Sequence, residues 1–168
     1  LKLPGQLEGC VADDILGHLY IGEEESGIWK FDADPNGSKE GVVIDTIGPH
    51  IAADVEGLTL YYASETDGYL IASSQGDDTY TIYSRGDINN FIGRFSVVDS
   101  ETIDGTSSTD GIDVCNMGLG GKLSDGIFIV QDDVNDVGNQ NFKIISWGEI
   151  ASIFNPPLEI NSGYDLRN

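Results

Sequence analysis

Three carboxylates share one local setting in this chain. Glu8-Gly9, Glu56-Gly57 and Asp110-Gly111 each place an acid directly before glycine, at spacings of 48 and then 54 residues. Asp54 lies two residues before Glu56, which puts both side chains on one side of an extended strand, because side chains alternate with a period of two. Glu24 comes from the acidic turn Glu23-Glu24-Glu25. Oxygen donors without His or Cys partners suit hard cations, and several flexible carboxylates favour Ca²⁺ over Mg²⁺. Taken singly, an acid before glycine does no more than cap a turn. Three in register argue for convergence at one opening, where like charges are costly unless a cation holds them together.

Further acids lie in Asp104-Gly105-Thr106-Ser107-Ser108-Thr109-Asp110-Gly111-Ile112-Asp113 and in Gln131-Asp132-Asp133-Val134-Asn135-Asp136. The second run alternates oxygen donors like a calcium loop but lacks the EF-hand pattern of Gly at the sixth and Glu at the twelfth position. No Gly-x-Ser-x-Gly elbow, phosphate-binding Gly-Lys-Ser/Thr loop or zinc-type Cys/His spacing occurs. His18 and His50 are isolated and read as surface or loop histidines.

Twenty-nine acids against eight bases give a net charge of −21, which excludes nucleic acid as a partner, since such binding uses Lys and Arg to neutralise phosphates. Part of that excess is a solvated acidic surface. No apolar run approaches the roughly 18 residues of a membrane helix, so no membrane partner is expected. Leu1-Lys2-Leu3-Pro4-Gly5 is too short and broken for a signal peptide. Cys10 and Cys115 sit in apolar, strand-like stretches and read as buried free thiols.

Turn clusters such as Asp34-Pro35-Asn36-Gly37, Glu65-Thr66-Asp67-Gly68 and Arg85-Gly86-Asp87 cut the chain into short β-branched and aromatic segments. These predict an all-β protein with strands at His18–Ile21, Ile28–Phe31, Leu58–Tyr62, Tyr69–Ala72, Tyr80–Tyr83, Gly126–Val130 and Ile144–Trp147. Only Trp147–Phe154 reads as helical, with Ser146 as N-cap. Each acid-Gly start is followed by an apolar strand, then a polar turn (Glu23-Glu24-Glu25, Gln75-Gly76-Asp77-Asp78, Gln131-Asp132-Asp133), then a strand ending near an aromatic residue. A strand-rich unit of about 50 residues is the size of a propeller blade, and three fill residues 1–168. Three blades do not close a ring, so the chain reads as a partial β-propeller completed by missing blades or by a second copy. An acidic sandwich is the alternative, but it does not predict the repeated acid-Gly starts. Trp29, Tyr61, Tyr62 and Tyr69 are expected to pack between blades.

At Glu8-Gly-Cys-Val-Ala-Asp-Asp14, Leu19-Tyr-Ile-Gly-Glu-Glu24, Gly27-Ile-Trp-Lys-Phe31, Asp54-Val-Glu-Gly-Leu-Thr-Leu-Tyr-Tyr62, Gly68–Gly76, Asp104–Asp113, Gln131-Asp132 and Asn139-Gln-Asn-Phe-Lys143, the sequence resembles the β-propeller (alkaline) phytases, specifically the C-terminal half of their six-bladed propeller. The resemblance implies calcium-dependent hydrolysis of phytate (myo-inositol hexakisphosphate) by a metal-activated water, without a covalent nucleophile. It implies Glu8, Glu24, Asp54, Glu56 and Asp110 as catalytic-site calcium ligands, and Gln75, Asp104, Asp132 and Asn135 as ligands of further, fold-stabilising calcium ions.

The cations with which the family grips phosphate belong to its N-terminal blades, and Lys2, Lys30, Lys39, Arg85, Arg94, Lys122, Lys143 and Arg167 do not occupy those positions. The isolated chain is therefore expected to bind calcium and to hydrolyse phytate poorly. A non-catalytic extracellular calcium-binding propeller segment is the competing reading, with a lactonase-type propeller as a third. Calcium demand and the resemblance together imply a secreted or periplasmic setting.

Overall fold

Glycine and Asx turns break the chain every few residues, so each apolar segment pairs with its neighbour in sequence. The computed structural model describes residues 2–165; Leu1 and Arg167 lie outside them. Leu7–Asp13 (β1), His18–Glu23 (β2), Gly27–Asp32 (β3) and Val42–Thr46 (β4) form one antiparallel sheet in the order β1-β2-β3-β4. Val55–Tyr62 (β5), Gly68–Ser74 (β6), Thr79–Ser84 (β7) and Phe91–Phe95 (β8) repeat that order. Ile112–Cys115 (β9), Ile127–Asp132 (β10) and Asn141–Ser146 (β11) make a three-stranded sheet, and Trp147–Ser152 (α1) follows. This is the all-β architecture expected, with three successive blade-sized sheets; no sheet closes on itself. The helix stops short of Phe154, and the Ser146 side chain makes no capping hydrogen bond.

The first strands of the three sheets lie side by side, β5 touching both β1 and β9. Two apolar layers fill the spaces between sheets. Tyr20 and Ile28 of the first sheet meet Leu58, Leu60, Leu70 and Tyr83 of the second. Ile71, Tyr80, Ile82 and Phe95 of the second meet Phe128, Val130 and Trp147 of the third. Trp147 is fully buried and stacks on Tyr61 with ring centroids 4.2 Å apart. Tyr61 and Tyr69 thus pack between sheets as expected. Tyr62 likewise packs against the layer between the first and second sheets, where it lies under the Arg85 guanidinium, whereas Trp29 stays within its own sheet, stacked on Phe31.

Cys10 and Cys115 are free and exposed, contrary to the expectation of burial. Their apolar flanks predicted a core position, but both strands leave one face outside the two apolar layers. His18 lies within a strand and His50 in a loop, where it pairs with Asp45 at 2.9 Å and stacks on Phe91.

Candidate metal centre

Two of the acid-Gly pairs are β-bulges. The β1–β2 register slips between Leu7 and Cys10, spanning Glu8-Gly9, and the β5–β6 register slips between Val55 and Leu58, spanning Glu56-Gly57. A bulge re-aims the side chain it carries and bends the strand. The glycine beside each acid has a steric reason. A Cβ on Gly9 would stand 2.2 Å from Glu56 O, and one on Gly57 would stand 2.8 Å from Asp110 O. Adjacent first strands therefore touch backbone to backbone, which carries Glu8, Glu56 and Asp110 toward one mouth.

Asp54 arrives by a different route from the one expected. It is not on the extended strand but precedes β5 with φ of 61°, in the left-handed region that Asp tolerates better than most residues. The backbone there is pinned on both sides. The Asp54 and Val55 amides donate to Glu24 O at 3.1 and 3.2 Å, and Asp54 O accepts from the Gln75 amide at 2.9 Å. The Gln75 side chain then donates from Nε2 to Asp110 Oδ1 at 2.8 Å. Gln75, expected from the resemblance to serve a further calcium ion, is thus hydrogen-bonded to one of the first set of acids.

Glu56 feels all the others. Partial burial first, and then the charges of Glu8, Asp110, Glu24 and Asp54, push its carboxyl up to about 7. Glu24 is raised as well, by desolvation and then by Asp54, Glu8 and Glu25. Among the described residues no ion pair reaches any of these five acids. Their close partners are amides: Gln6 Nε2 donates to Glu8 Oε1 at 2.6 Å, and the Asp110 amide donates to Gln131 Oε1 at 2.9 Å. Nor is any group of three or more His, Cys, Asp or Glu side chains among the described residues gathered closely enough to hold a metal ion. Five carboxylates sharing one field, with only neutral partners, fit a hard divalent cation in donor chemistry.

The second set is arranged otherwise. Lys143 Nζ lies 2.7 Å from Asp104 Oδ1, 2.8 Å from Asn135 Oδ1 and 3.0 Å from Asp132 Oδ2. Asp132 Oδ2 has no well-aligned hydrogen bond, so its contact with the ammonium is one of charge. Hydrogen bonding from Lys143 and from the Asp136 amide holds the Asp104 carboxyl below its usual range. Burial works against the ammonium, but its pairing with Asp104 and Asp132 keeps the Lys143 pKa above its ordinary value. An internal cation thus already serves these oxygens, and in this arrangement they do not fit calcium.

Sequence reasoning missed Gln6, Gln131 and Lys143. The signal for Gln131 was present: like Glu24 and Gln75, it stands at the polar end of the second strand of its repeat, within β10 where the other two follow β2 and β6.

The family model described as Phytase matches residues 1–168. The chain belongs to the phytase family. Among curated proteins it is similar to the 3-phytase of Bacillus subtilis (strain 168), with 54% identity over 155 residues that cover 89% of this chain and 41% of the relative. The chain thus spans well under half the length of that phytase. Its bulged acids, its glycine contacts and its amide-partnered carboxylates lie within the matched family region.

Proposed function

We propose that this chain supplies the acidic, cation-binding part of the active site of a calcium-dependent phytase. The enzyme hydrolyses phosphomonoesters of phytate by direct attack of water, in a propeller of the six-bladed type that further blades complete. One observation carries the reading: Glu56 is partly buried within the field of Glu8, Asp110, Glu24 and Asp54, and burial together with those four charges raises its carboxyl to about 7.

A polyanionic substrate and a net charge of −21 repel each other unless cations intervene. Calcium held there supplies that positive charge and lowers the pKa of water bound to it. The five carboxylates bind and orient, the Gln75 amide donates to Asp110, and Asp54, on its left-handed backbone, adds its charge to the field at Glu56. With no base among the described residues ion-paired to these acids, the groups that grip the outer phosphates come from the remaining blades, and the isolated chain is expected to bind calcium with little turnover. The calcium requirement suits a secreted or periplasmic setting, where free calcium is high.

The deciding experiment places this chain in the complete phytase domain and follows phosphate release from phytate against calcium concentration. Glu56→Gln and Asp110→Asn are each expected to lower the rate by at least about 100-fold, the order seen when one electrostatic stabiliser is removed. Calcium uptake without any turnover by the complete domain would favour the non-catalytic calcium-binding segment instead.

A further inference from the structure

Two residues with side chains adopt left-handed backbone two places before a mouth acid. Asp54, with φ of 61°, precedes Glu56, and Ser108, with φ of 47°, precedes Asp110. Glycine alone takes that conformation without cost, so each of these residues must be held there by its surroundings. One is an acid and the other carries a hydroxyl; what repeats is the backbone.

One short turn bonds to both segments. It covers residues 75–78, between β6 and β7. On one side the Ala52 amide donates to Ser74 Oγ at 2.8 Å, the Gly76 amide to Ala53 O at 3.0 Å and the Gln75 amide to Asp54 O at 2.9 Å. A Cβ on Gly76 would stand 2.4 Å from Ala53 O, so the two backbones touch. On the other side the Ser108 amide donates to Asp78 Oδ1 at 2.7 Å, Ser73 Oγ donates to Thr109 O at 2.9 Å, and Gln75 Nε2 donates to Asp110 Oδ1 at 2.8 Å.

The turn is braced in its own sheet. The Asp77 carboxylate accepts from Ser74 Oγ at 2.8 Å, Thr79 Oγ1 at 2.6 Å and Arg94 Nη1 at 2.7 Å. An ionised carboxylate only accepts, so the Ser74 hydroxyl gives its proton to Asp77 and keeps a lone pair for the Ala52 amide. Asp78, which ends the turn, is itself left-handed with φ of 52°.

We propose that Asp77 and Asp78 are positioning residues of the mouth. Asp78 holds Ser108 in its left-handed backbone and so places Asp110. Asp77 fixes the turn against residues 52–54 and so places Asp54. Each acts through hydrogen bonds to the chain that carries a ligand and is not a ligand itself. The proposal rests on the reading of Asp54 and Asp110 as calcium ligands, and names what holds them.

The test measures calcium affinity of this chain by titration calorimetry and follows the backbone at Asp54 and Ser108 through their Cα and Cβ chemical shifts. Asn at position 78 keeps the accepting oxygen and tolerates left-handed backbone, whereas Gly keeps the conformation and drops the oxygen. Asp78→Asn is therefore expected to bind within about twofold of wild type, and Asp78→Gly about 10-fold more weakly with the Ser108 shifts displaced. Asp77→Asn is expected to displace the Asp54 shifts and weaken binding by a similar factor. Should it fail to fold, Arg94→Met decides, with an expected loss of about threefold. Ile82→Val removes one core methyl from the same sheet and is expected to lower stability while leaving the affinity unchanged.

Wild-type affinity and unmoved Ser108 shifts in Asp78→Gly would overturn the proposal. So would equal losses in Asp78→Asn and Asp78→Gly, since the charge and not the hydrogen bond would then matter. A wild-type chain that takes up no calcium, with the Ser108 shifts still displaced in Asp78→Gly, would sink only the calcium reading. Calcium binding that Glu56→Gln abolishes and Asp78→Gly leaves intact would sink only the positioning role.

Discussion

Arg85 and Asp13 face each other with both side chains fully shielded from water: Nε donates to Oδ2 at 2.6 Å and Nη2 to Oδ1 at 2.9 Å. The pair ties the end of β1 to the loop after β7, so it joins the first two sheets. The remaining guanidinium donor reaches Ser64 O and Asp67 O, and the cation lies 4.4 Å from the Tyr62 ring centroid. Removing one partner leaves an uncompensated buried charge, and Arg85→Met is expected to cost about 3–5 kcal/mol in denaturant unfolding. The double variant Asp13→Leu with Arg85→Met is expected to recover much of that loss, because an apolar pair leaves no stranded charge.

Glu56 makes the metal-free chain sensitive to pH. Its folded pKa of about 7 lies above the ordinary 4.5, so between those values the folded state holds a proton that the unfolded state has released. Stability from this group is full below about pH 4.5 and declines as pH rises toward 7. Unfolding followed in chelator across this window is expected to show that decline, and Glu56→Gln is expected to flatten it. Saturating calcium is expected to reverse the trend, since a bound cation favours the ionised form. A wild-type profile that stays level in chelator would contradict the crowding of the five acids.

Lys143 predicts a contrast between the two acidic sets. Asp104→Asn weakens a pairing that the ammonium makes without any metal. Its melting temperature is therefore expected to fall by the same amount in calcium and in chelator. The destabilisation of Asp110→Asn, by contrast, is expected to differ between the two. A loss at Asp104 that appears only with calcium would show that a metal displaces the lysine.

Trp147 is the central ring between the second and third sheets, stacked on Tyr61 and donating from Nε1 to Glu159 O at 3.1 Å. Trp147→Ala is expected to destabilise by about 3–5 kcal/mol, with the loss read as a lower denaturant midpoint.

Much of this was legible from the residues. Strand positions followed from alternation and turn chemistry, and the repeat fixed which residues begin each sheet. The outer strands β4 and β8 were not anticipated, although Val-Val-Ile-Asp-Thr and Phe-Ile-Gly-Arg-Phe are β-branched and aromatic runs of the same kind as those that were. The convergence of Glu8, Glu56 and Asp110 followed from equivalent positions. The left-handed turn at Asp54 and the bulges did not, since both depend on backbone pairing with residues distant in sequence. Lys143 was named only as a base outside the family's phosphate-gripping positions; its pairing with Asp104 depends on packing across 39 residues, which no local pattern encodes.

On the calcium reading proposed above, the amide partners of the mouth carboxylates bear on how fast the site responds. Glutamine groups steer Glu8 and Asp110 without cancelling their charge, so among the described residues an arriving ion evicts no ammonium or guanidinium before binding. Loading at this mouth is accordingly expected to be quick and reversible, tracking the free ion level of the surroundings, while the lysine-filled corner is expected to be indifferent to it.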